Sequence, residues 1–141
     1  MRNTSVLGSR LGPLLFQLPP NMKKDIDRLR GFLGLLPTDR RYTFEFRHES
    51  WFDDDVMTAL RERDIALCVA EQDDFKCPLH VTASWGYLRL HRLNYDAATL
   101  GEWARCVAAQ GWREAYVFFK HDEGVGSGPP AVGAFVRACA A

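Results

Sequence analysis

The sequence predicts an α/β fold in which about five parallel strands alternate with helices that lie on the outside of the sheet. Five short apolar runs recur along the chain, at residues 14–18, 42–47, 65–69, 87–91 and 115–119. Helical spacing of apolar residues follows four of these runs, and the third run is continuously apolar, as in strands that are covered on both faces. Repeated strand–helix units favour a parallel sheet with right-handed crossovers.

The first helix is predicted over residues 22–33, after the first strand. The dipeptide Pro19-Pro20 stops that strand, because proline has no N–H to donate to a neighbouring strand. Asn21 is expected to cap the helix, since its side chain can accept a hydrogen bond from the first turn. Gly34 is a suitable C-terminal stop.

The remaining helices have similar start signals. Three aspartates at 53–55 place negative charge where a helix N-terminus favours it, and Asp96 is expected to cap a helix over residues 97–110. Between 71 and 86 the pattern is irregular. In the second helix we expect Val56, Met57 and Leu60 to be buried. Pro129 is expected to begin a last helix, whose buried side chains would be Val132, Phe135 and Val136.

Composition limits the class of protein and its partners. The 141 residues suit one domain, 1–141, and Lys plus Arg equals Asp plus Glu at 18 each, so a nucleic-acid partner is not favoured. No stretch has the length and apolarity of a membrane span or signal peptide. Four cysteines without a Cys-x-x-Cys pair are expected to be free thiols, which favours a cytoplasmic location.

Polar residues collect where the predicted strands end. In the second and fourth strands the side chains alternate, so that the apolar residues face the helices and the polar residues face the other side of the sheet. The residues on that polar side are Glu45, Arg47, Arg89 and His91. We expect Glu45 to pair with Arg47 or Arg89, because a buried charge is costly without a partner.

The other strands end in the same way. The first ends at Gln17, the third is followed by Glu71 and Asp73, and the fifth is followed by Lys120, His121 and Asp122. Ligands of parallel α/β folds bind at the carboxyl ends of the strands, so these residues predict a binding site. The alternative is an internal salt-bridge network without a function.

Two residues after the second strand have more than one interpretation. His48 could be an acid or base, a metal ligand, or a cap on the following helix, and Trp51 could stack on a ligand or pack in the core. No His-Glu-x-x-His spacing is present, so no metal site is predicted. The glycines of 124–128 favour a flexible loop over a phosphate-binding loop.

Four motifs in order resemble the YecE-like family, also called domain of unknown function 72. They span most of the chain: Leu11-Gly-Pro-Leu-Leu-Phe-Gln-Leu-Pro-Pro20, Phe44-Glu-Phe-Arg-His-Glu-Ser-Trp51, Tyr87-Leu-Arg-Leu-His91 and Tyr116-Val-Phe-Phe-Lys-His-Asp-Glu123. The resemblance implies a TIM-type (β/α)₈ barrel whose activity is unassigned. By the motif matches, the resemblance implies that the family's site residues correspond here to Gln17, Glu45, Arg47, His48, Trp51 and Arg89, and less securely to Glu71 and Asp73.

The same resemblance implies that three N-terminal strands of the barrel are missing. The chain would then be the C-terminal part of the barrel: a truncated gene product, a miscalled start, or a fragment that assembles with another copy or chain. A partial barrel has two exposed strand edges, which can pair with other chains, so self-association is expected.

Two functional hypotheses follow. The first is a barrel enzyme, or its remnant, that binds a small anionic or polar ligand, with Glu45 and His48 as catalytic groups. The substrate-binding residues would be Gln17, Arg47, Trp51, Asp73, Arg89, His91, Lys120 and His121. The second is a non-catalytic nucleotide or nucleic-acid module that uses Arg47, Arg89, Arg92 and Lys120. A third possibility is that the chain is an inactive, truncated fragment. The sequence specifies neither a cofactor nor a reaction.

Overall fold

Five parallel strands form a sheet whose order across the sheet is their order along the chain. The computed structural model describes residues 6–8, 10–72, 77–92, 94–120 and 128–140. The strands are β1 (Leu14–Gln17), β2 (Tyr42–Glu45), β3 (Ala66–Glu71), β4 (Gly86–Leu90) and β5 (Ala115–Phe119). The helices are α1 (Ile26–Gly34), α2 (Asp54–Arg61), α3 (Ala97–Ala108) and α4 (Pro129–Cys139). The predicted α/β class is confirmed.

The start of α1 differs from the prediction. The helix begins at Ile26 and its cap is Asp25, whose carboxylate accepts the backbone N–H of Arg28 at 3.0 Å. Asn21 is not the cap, because residues 19–22 form a turn in which the N–H of Met22 donates to the carbonyl of Pro19. The better cap therefore lies four residues further along the chain.

Helix α2 begins as predicted. A short 3₁₀ turn, Glu49–Trp51, follows β2, and Asp53 then caps the helix by accepting the backbone N–H of Asp54 at 2.8 Å. The expected side chains, Val56, Met57 and Leu60, are buried.

Helix α4 only partly fits its predicted face. Phe135 is buried together with Ala131, but Val132 and Val136 are 42% and 60% exposed. The prediction for those two valines was wrong, because α4 contacts α3 and β5 through the side of the helix that carries Phe135, Ala134 and Ala138.

The connection from β3 to β4 contains no helix or strand within its described residues, 77–85. Thr82 ties it to β3, because its hydroxyl accepts from the N–H of Leu67 and donates to the carbonyl of Ile65, both at 2.8 Å. Where β4 begins, a Cβ on Gly86 would lie 2.4 Å from the ring of Trp112, so only glycine fits there. The irregular segment that the sequence predicted is therefore confirmed where it is described.

The two faces of the sheet have different packing. On the outer face, Phe44 and Phe46 pack in a cluster with residues of α1 and α2, while Leu88 and Leu90 pack with residues of α3 and α4. On the inner face a smaller cluster contains Ala66, Cys68, Ala83, Trp85 and Tyr87. The alternation predicted for β2 and β4 is confirmed.

Side-chain contacts across the inner face show that the sheet is curved. Arg89 of β4 donates to the side chain of Gln17 of β1 at 3.1 Å. In a flat sheet these strands would be roughly 14 Å apart, at about 4.8 Å for each step. At the other end of the sheet Arg41, just before β2, donates to the hydroxyl of Tyr116 of β5 at 3.1 Å. This curvature is consistent with a partial TIM-like barrel.

Two further predictions concern the cysteines and the membrane. The four cysteines are free, with Cys68 and Cys77 buried and Cys139 exposed. All helices in the described residues are too short or too polar to span a bilayer.

Candidate functional site

The inner face carries its polar residues at the carboxyl ends of the strands. The register pairs Gln17 of β1 with Glu45 of β2, and Ala70 of β3 with Arg89 of β4. The amino end of this face is mainly apolar or aromatic, with residues such as Leu15, Tyr87 and Tyr116. The structure thus brings together four of the residues that the sequence predicted for a site: Gln17, Glu45, Arg47 and Arg89.

Glu45 is the centre of this group. It is fully buried, and Arg47 donates to its Oε1 through Nε at 2.7 Å and Nη2 at 2.6 Å. Arg89 donates to Oε2 through Nη1. The carboxylate accepts from two cations, which offsets the cost of its burial and holds both guanidinium groups at the edge of the sheet.

Arg89 is anchored at one end of its guanidinium group. Its Nη1 donates both to Glu45 and to Gln17, and within the described residues these are its hydrogen bonds. A guanidinium group has five N–H donors, so the three on Nε and Nη2 remain available. The side chain is 24% exposed, and these donors can therefore reach a ligand.

Cys68 lies beneath the ion pairs. Its thiol is 3.8 Å from Oε2 of Glu45, on the neighbouring strand. Burial, followed by the negative charge of Glu45, raises the pKa of the Cys68 thiol well above its ordinary range. The thiol is therefore a neutral contact for the carboxylate, not a nucleophile.

Burial and nearby charges act on His91, which follows β4. Burial lowers the pKa of its imidazole below the ordinary 6.5, and the nearby charges of Arg89, Arg47 and Lys120 lower it further, against an opposing effect of Glu45. Among the described groups that act on His91, three cations and one carboxylate give an excess of positive charge. Such a surplus attracts anions.

His48 has a structural contact. Its Nδ1 accepts the backbone N–H of Ser50 at 3.2 Å and lies 2.9 Å from the Ser50 hydroxyl, so the side chain caps the turn after β2. The backbone N–H of Lys24 donates to the same hydroxyl at 2.9 Å. Of the three interpretations of His48, the structure shows the cap.

Trp51 belongs to the outer layer. Its ring stacks on Phe46 at 4.8 Å and 4°, and its indole N–H donates to the carbonyl of Met22 at 2.7 Å. Only 1% of the residue is exposed, so its ring is not available for stacking on a ligand. We leave Trp51 out of the candidate site, because Phe46 and Trp51 lie on the side of the sheet opposite to Glu45.

Two of the predicted site residues, Asp73 and His121, lie outside the described residues. Lys120 is described, and its backbone N–H donates to the carbonyl of Leu90, which fixes it beside the end of β4. The roles of Asp73 and His121 therefore stay predictions.

A second buried carboxylate, Glu71, lies at the end of β3 on the outer face. It is 5% exposed, and its Oε2 accepts from the hydroxyl of Tyr95 at 3.0 Å and from the indole N–H of Trp103 at 3.1 Å. Glu71 and Trp103 also line a cleft of about 550 Å³ under α3. The sequence placed Glu71 at a strand end but did not predict these partners. The parity of β3 could have placed it outside, since Cys68 faces inward.

Glu45 and Glu71 lie on opposite faces, so they cannot share a metal ion. Among the described residues no cluster of three or more His, Cys, Asp or Glu side chains is arranged to hold a metal.

Comparison with known proteins gives two findings. A family model described as "Protein of unknown function DUF72" matches residues 1–141. The fold is similar to the crystal structure of a DUF72 family protein from Thermotoga maritima, with a TM-score of 0.63 and 18% sequence identity. The match covers 95% of this chain and 59% of that one, so this chain spans about three fifths of the length of that protein. No curated protein matches the sequence.

Proposed function

The chain belongs to the DUF72 family, and we propose that the carboxyl ends of its strands bind a small anion that carries a phosphate or carboxylate group. Arg47 and Arg89 would hold the anion. Phosphate and carboxylate oxygens fit the planar array of N–H donors on a guanidinium group, which makes arginine suitable for this task.

The observation that carries the proposal is the fully buried Glu45 between two arginines. A surface ion pair holds its partners loosely, but a buried carboxylate with three donated hydrogen bonds fixes the two cations before a ligand arrives. Binding then costs less conformational entropy. The three N–H donors that Arg89 retains would contact the anion.

We assign Glu45 and His48 positioning roles instead of the acid–base roles that the sequence suggested. Both carboxylate oxygens of Glu45 accept from arginines, and Nδ1 of His48 accepts from the backbone of the turn after β2, so each side chain holds a neighbouring group in place. The proposal is therefore one of binding, and it assigns no reaction.

Three further residues would complete the site. Gln17 orients Arg89, while Lys120 and His91 lie beside the cations. Asp73 and His121 lie outside the described residues and stay in the proposal on the sequence alone.

Phosphate titration by isothermal calorimetry tests the proposal. We expect inorganic phosphate to bind, and Arg89→Gln to weaken binding about tenfold or more, because a hydrogen bond to a charged group contributes about 1.5–3 kcal/mol. Arg28→Gln is the matched control, since it removes the same charge from an exposed position on α1. Equal loss in both variants, or no phosphate binding by the unmodified chain, would overturn the proposal.

The alternative nucleic-acid module has less support from the geometry. It needs Arg92 to join Arg47, Arg89 and Lys120, but the guanidinium of Arg92 lies 5.9 Å from the ring centre of Tyr95 and lines the outer cleft. The four cations therefore do not form one surface. The balanced net charge also argues against a nucleic-acid partner.

We also propose that the chain associates with copies of itself through its strand edges. β1 and β5 are the outermost strands of the described sheet, and an apolar groove of about 490 Å³ beside β1 is lined by residues that include Phe16 and Phe32. Strand edges with unpaired backbone groups pair readily with other strands. Light scattering should give a mass above that of the monomer, and a monodisperse monomer with a cooperative melt would contradict this.

A cytoplasmic location completes the proposal. Its support is the set of four free cysteines, of which Cys139 is exposed, as expected in a reducing compartment.

A further inference from the structure

We propose that the ligand is an aromatic compound whose ring packs on Phe118 while its phosphate or carboxylate group is held by Arg89. This inference rests on the proposed anion site and adds the chemical class of the ligand. Aryl phosphates, aromatic carboxylates and mononucleotides all have this combination of a planar ring and an anionic group.

The strand register places Phe118 beside the anion site. Phe118 of β5 is the direct neighbour of Arg89 of β4 in the parallel pair. Paired residues of neighbouring strands face the same side of a sheet and are about 4.8 Å apart along the hydrogen-bonding direction. The ring of Phe118 therefore lies on the inner face, next to the guanidinium group that keeps three donors available.

Phe118 also has a larger exposed fraction than the aromatic residue beside it on β4. It is 47% exposed, whereas Tyr87 on the adjacent strand is 8% exposed. The two rings contact each other at 5.0 Å with an angle of 35°, so Tyr87 supports one side of Phe118. Tyr116 continues this row of rings one layer further from the strand ends, at 6.4 Å from Tyr87.

A large exposed aromatic side chain beside a cluster of cations suits one kind of occupant better than others. A purely inorganic anion would neutralise the cations but would leave Phe118 in water. A strand of another chain would cover Phe118 but need not supply an acceptor for the remaining donors of Arg89. A ring with an attached anion does both, and its π-face can also stack on a guanidinium plane.

A comparison of two phosphate monoesters tests the inference. Phenyl phosphate and methyl phosphate carry the same charged group, and only the first has a ring. We expect phenyl phosphate to bind the full chain about tenfold more tightly in calorimetry, because stacking of a ring on an aromatic side chain contributes about 1–3 kcal/mol. Phe118→Ala should abolish this preference and leave the affinity for methyl phosphate unchanged.

Two further variants distinguish loss of the ring from loss of the folded structure. Phe118→Tyr keeps a ring and should keep the preference, while Phe118→Leu keeps apolar volume and should retain only part of it. Circular dichroism would confirm that each variant is folded.

The outcomes separate the two proposals. Equal affinities for phenyl and methyl phosphate would overturn the ligand class while leaving the anion site intact, and this result is also expected if another copy of the chain covers Phe118. A preference that persists in Phe118→Ala would likewise overturn it. If neither ester binds, the anion site fails and the inference fails with it.

Discussion

Glu45 and Glu71 are buried carboxylates at the ends of neighbouring strands, and they lie on opposite faces of the sheet. Glu45 faces inward and is fully buried between the guanidinium groups of Arg47 and Arg89. Glu71 faces the helix layer, is 5% exposed, and accepts hydrogen bonds from Tyr95 and Trp103. The same functional group is thus buried with the help of two different sets of partners.

The difference shows that the partners of a buried carboxylate indicate its role better than burial does. The arginines beside Glu45 are 24% exposed, so they remain accessible to a ligand while the carboxylate holds them. The phenol and indole groups beside Glu71 belong to aromatic side chains that pack between β3 and α3 and tie them together. We therefore interpret Glu45 as part of a site and Glu71 as a structural anchor. Four experiments can break or sharpen this comparison.

Replacing the inward-facing carboxylate should have the largest effect. Glu45→Gln keeps the size of the side chain but leaves Arg47 and Arg89 without their anion. Breaking a buried ion pair in this way costs about 3–5 kcal/mol in the free energy of unfolding. Urea denaturation followed by circular dichroism would measure it. Asp53→Asn, which breaks the exposed pair with Lys24, is the control and should change stability little. A loss as small as that of the control would mean that the ion pairs do not hold the inner face.

Removing a donor from the outward-facing carboxylate should have a smaller effect, on stability alone. Tyr95→Phe deletes one hydroxyl that donates to Glu71, which we expect to lower the free energy of unfolding by about 1–3 kcal/mol. Tyr42→Phe is a matched control, because the buried Tyr42 hydroxyl has no hydrogen-bond partner among the described residues. Phosphate affinity should be unchanged in both variants, and a loss of affinity in Tyr95→Phe would remove the distinction between the two glutamates.

Loosening Arg89 should change binding more than stability. Gln17→Ala deletes the exposed amide that accepts from Nη1, and one such hydrogen bond contributes about 0.5–1.5 kcal/mol. We expect phosphate affinity to fall roughly 2- to 10-fold by calorimetry. Gln110→Ala, just beyond the C-terminal end of α3, provides the control. An unchanged affinity for phosphate in Gln17→Ala would show that Arg89 is held by Glu45 alone.

The smallest effect concerns pH. His91 has a pKa below the ordinary 6.5 in the folded chain, owing to burial and to the charges of Arg89, Arg47 and Lys120, partly offset by Glu45. As pH falls below 6.5, the unfolded chain takes up a proton that the folded chain does not, so stability declines until the pH has passed the folded-state pKa. His91→Asn should flatten this decline in denaturation curves between pH 7 and pH 5.

Anion binding at the proposed site should shift the pKa of His91 in the opposite direction. A bound phosphate adds negative charge beside His91, so the pKa of His91 should rise when phosphate is added, as NMR titration of the ring can show. By reciprocity, phosphate should bind more tightly as pH falls through that pKa, after allowance for the titration of phosphate itself. A His91 titration that ignores phosphate would place the anion away from Arg89.

The sequence alone was enough to predict the parts of this structure that depend on period-2 alternation. Glu45 and Arg89 alternate with apolar residues in β2 and β4, and those apolar residues face the helices. The common inner face of Glu45 and Arg89 could therefore be predicted without coordinates. The ion-pair partner of Glu45 could not be predicted in this way, since Arg47 is two residues away along the chain and Arg89 is 44 residues away. The structure shows that both pair with it.

Contacts between layers were harder to predict. The stacking of Trp51 on Phe46 depends on the path of the turn after β2, and the sequence offered both core packing and ligand stacking for that ring. Tyr95 and Trp103 reach Glu71 from 24 and 32 residues further along the chain. Patterns along one strand carry no information about such distances, which are set by how a helix lies on the sheet.

The order of the strands has a consequence for the time at which the site forms. Neighbours in the sheet are neighbours in the chain, so each strand can join the sheet as it leaves the ribosome, from the N-terminus onward. A nascent chain that ends after β3 contains Glu45 and Arg47, whose charges cancel. Arg89 arrives only with β4, so the proposed anion site cannot form before β4 has joined the sheet, when the outer layer around α1 and α2 can already have packed.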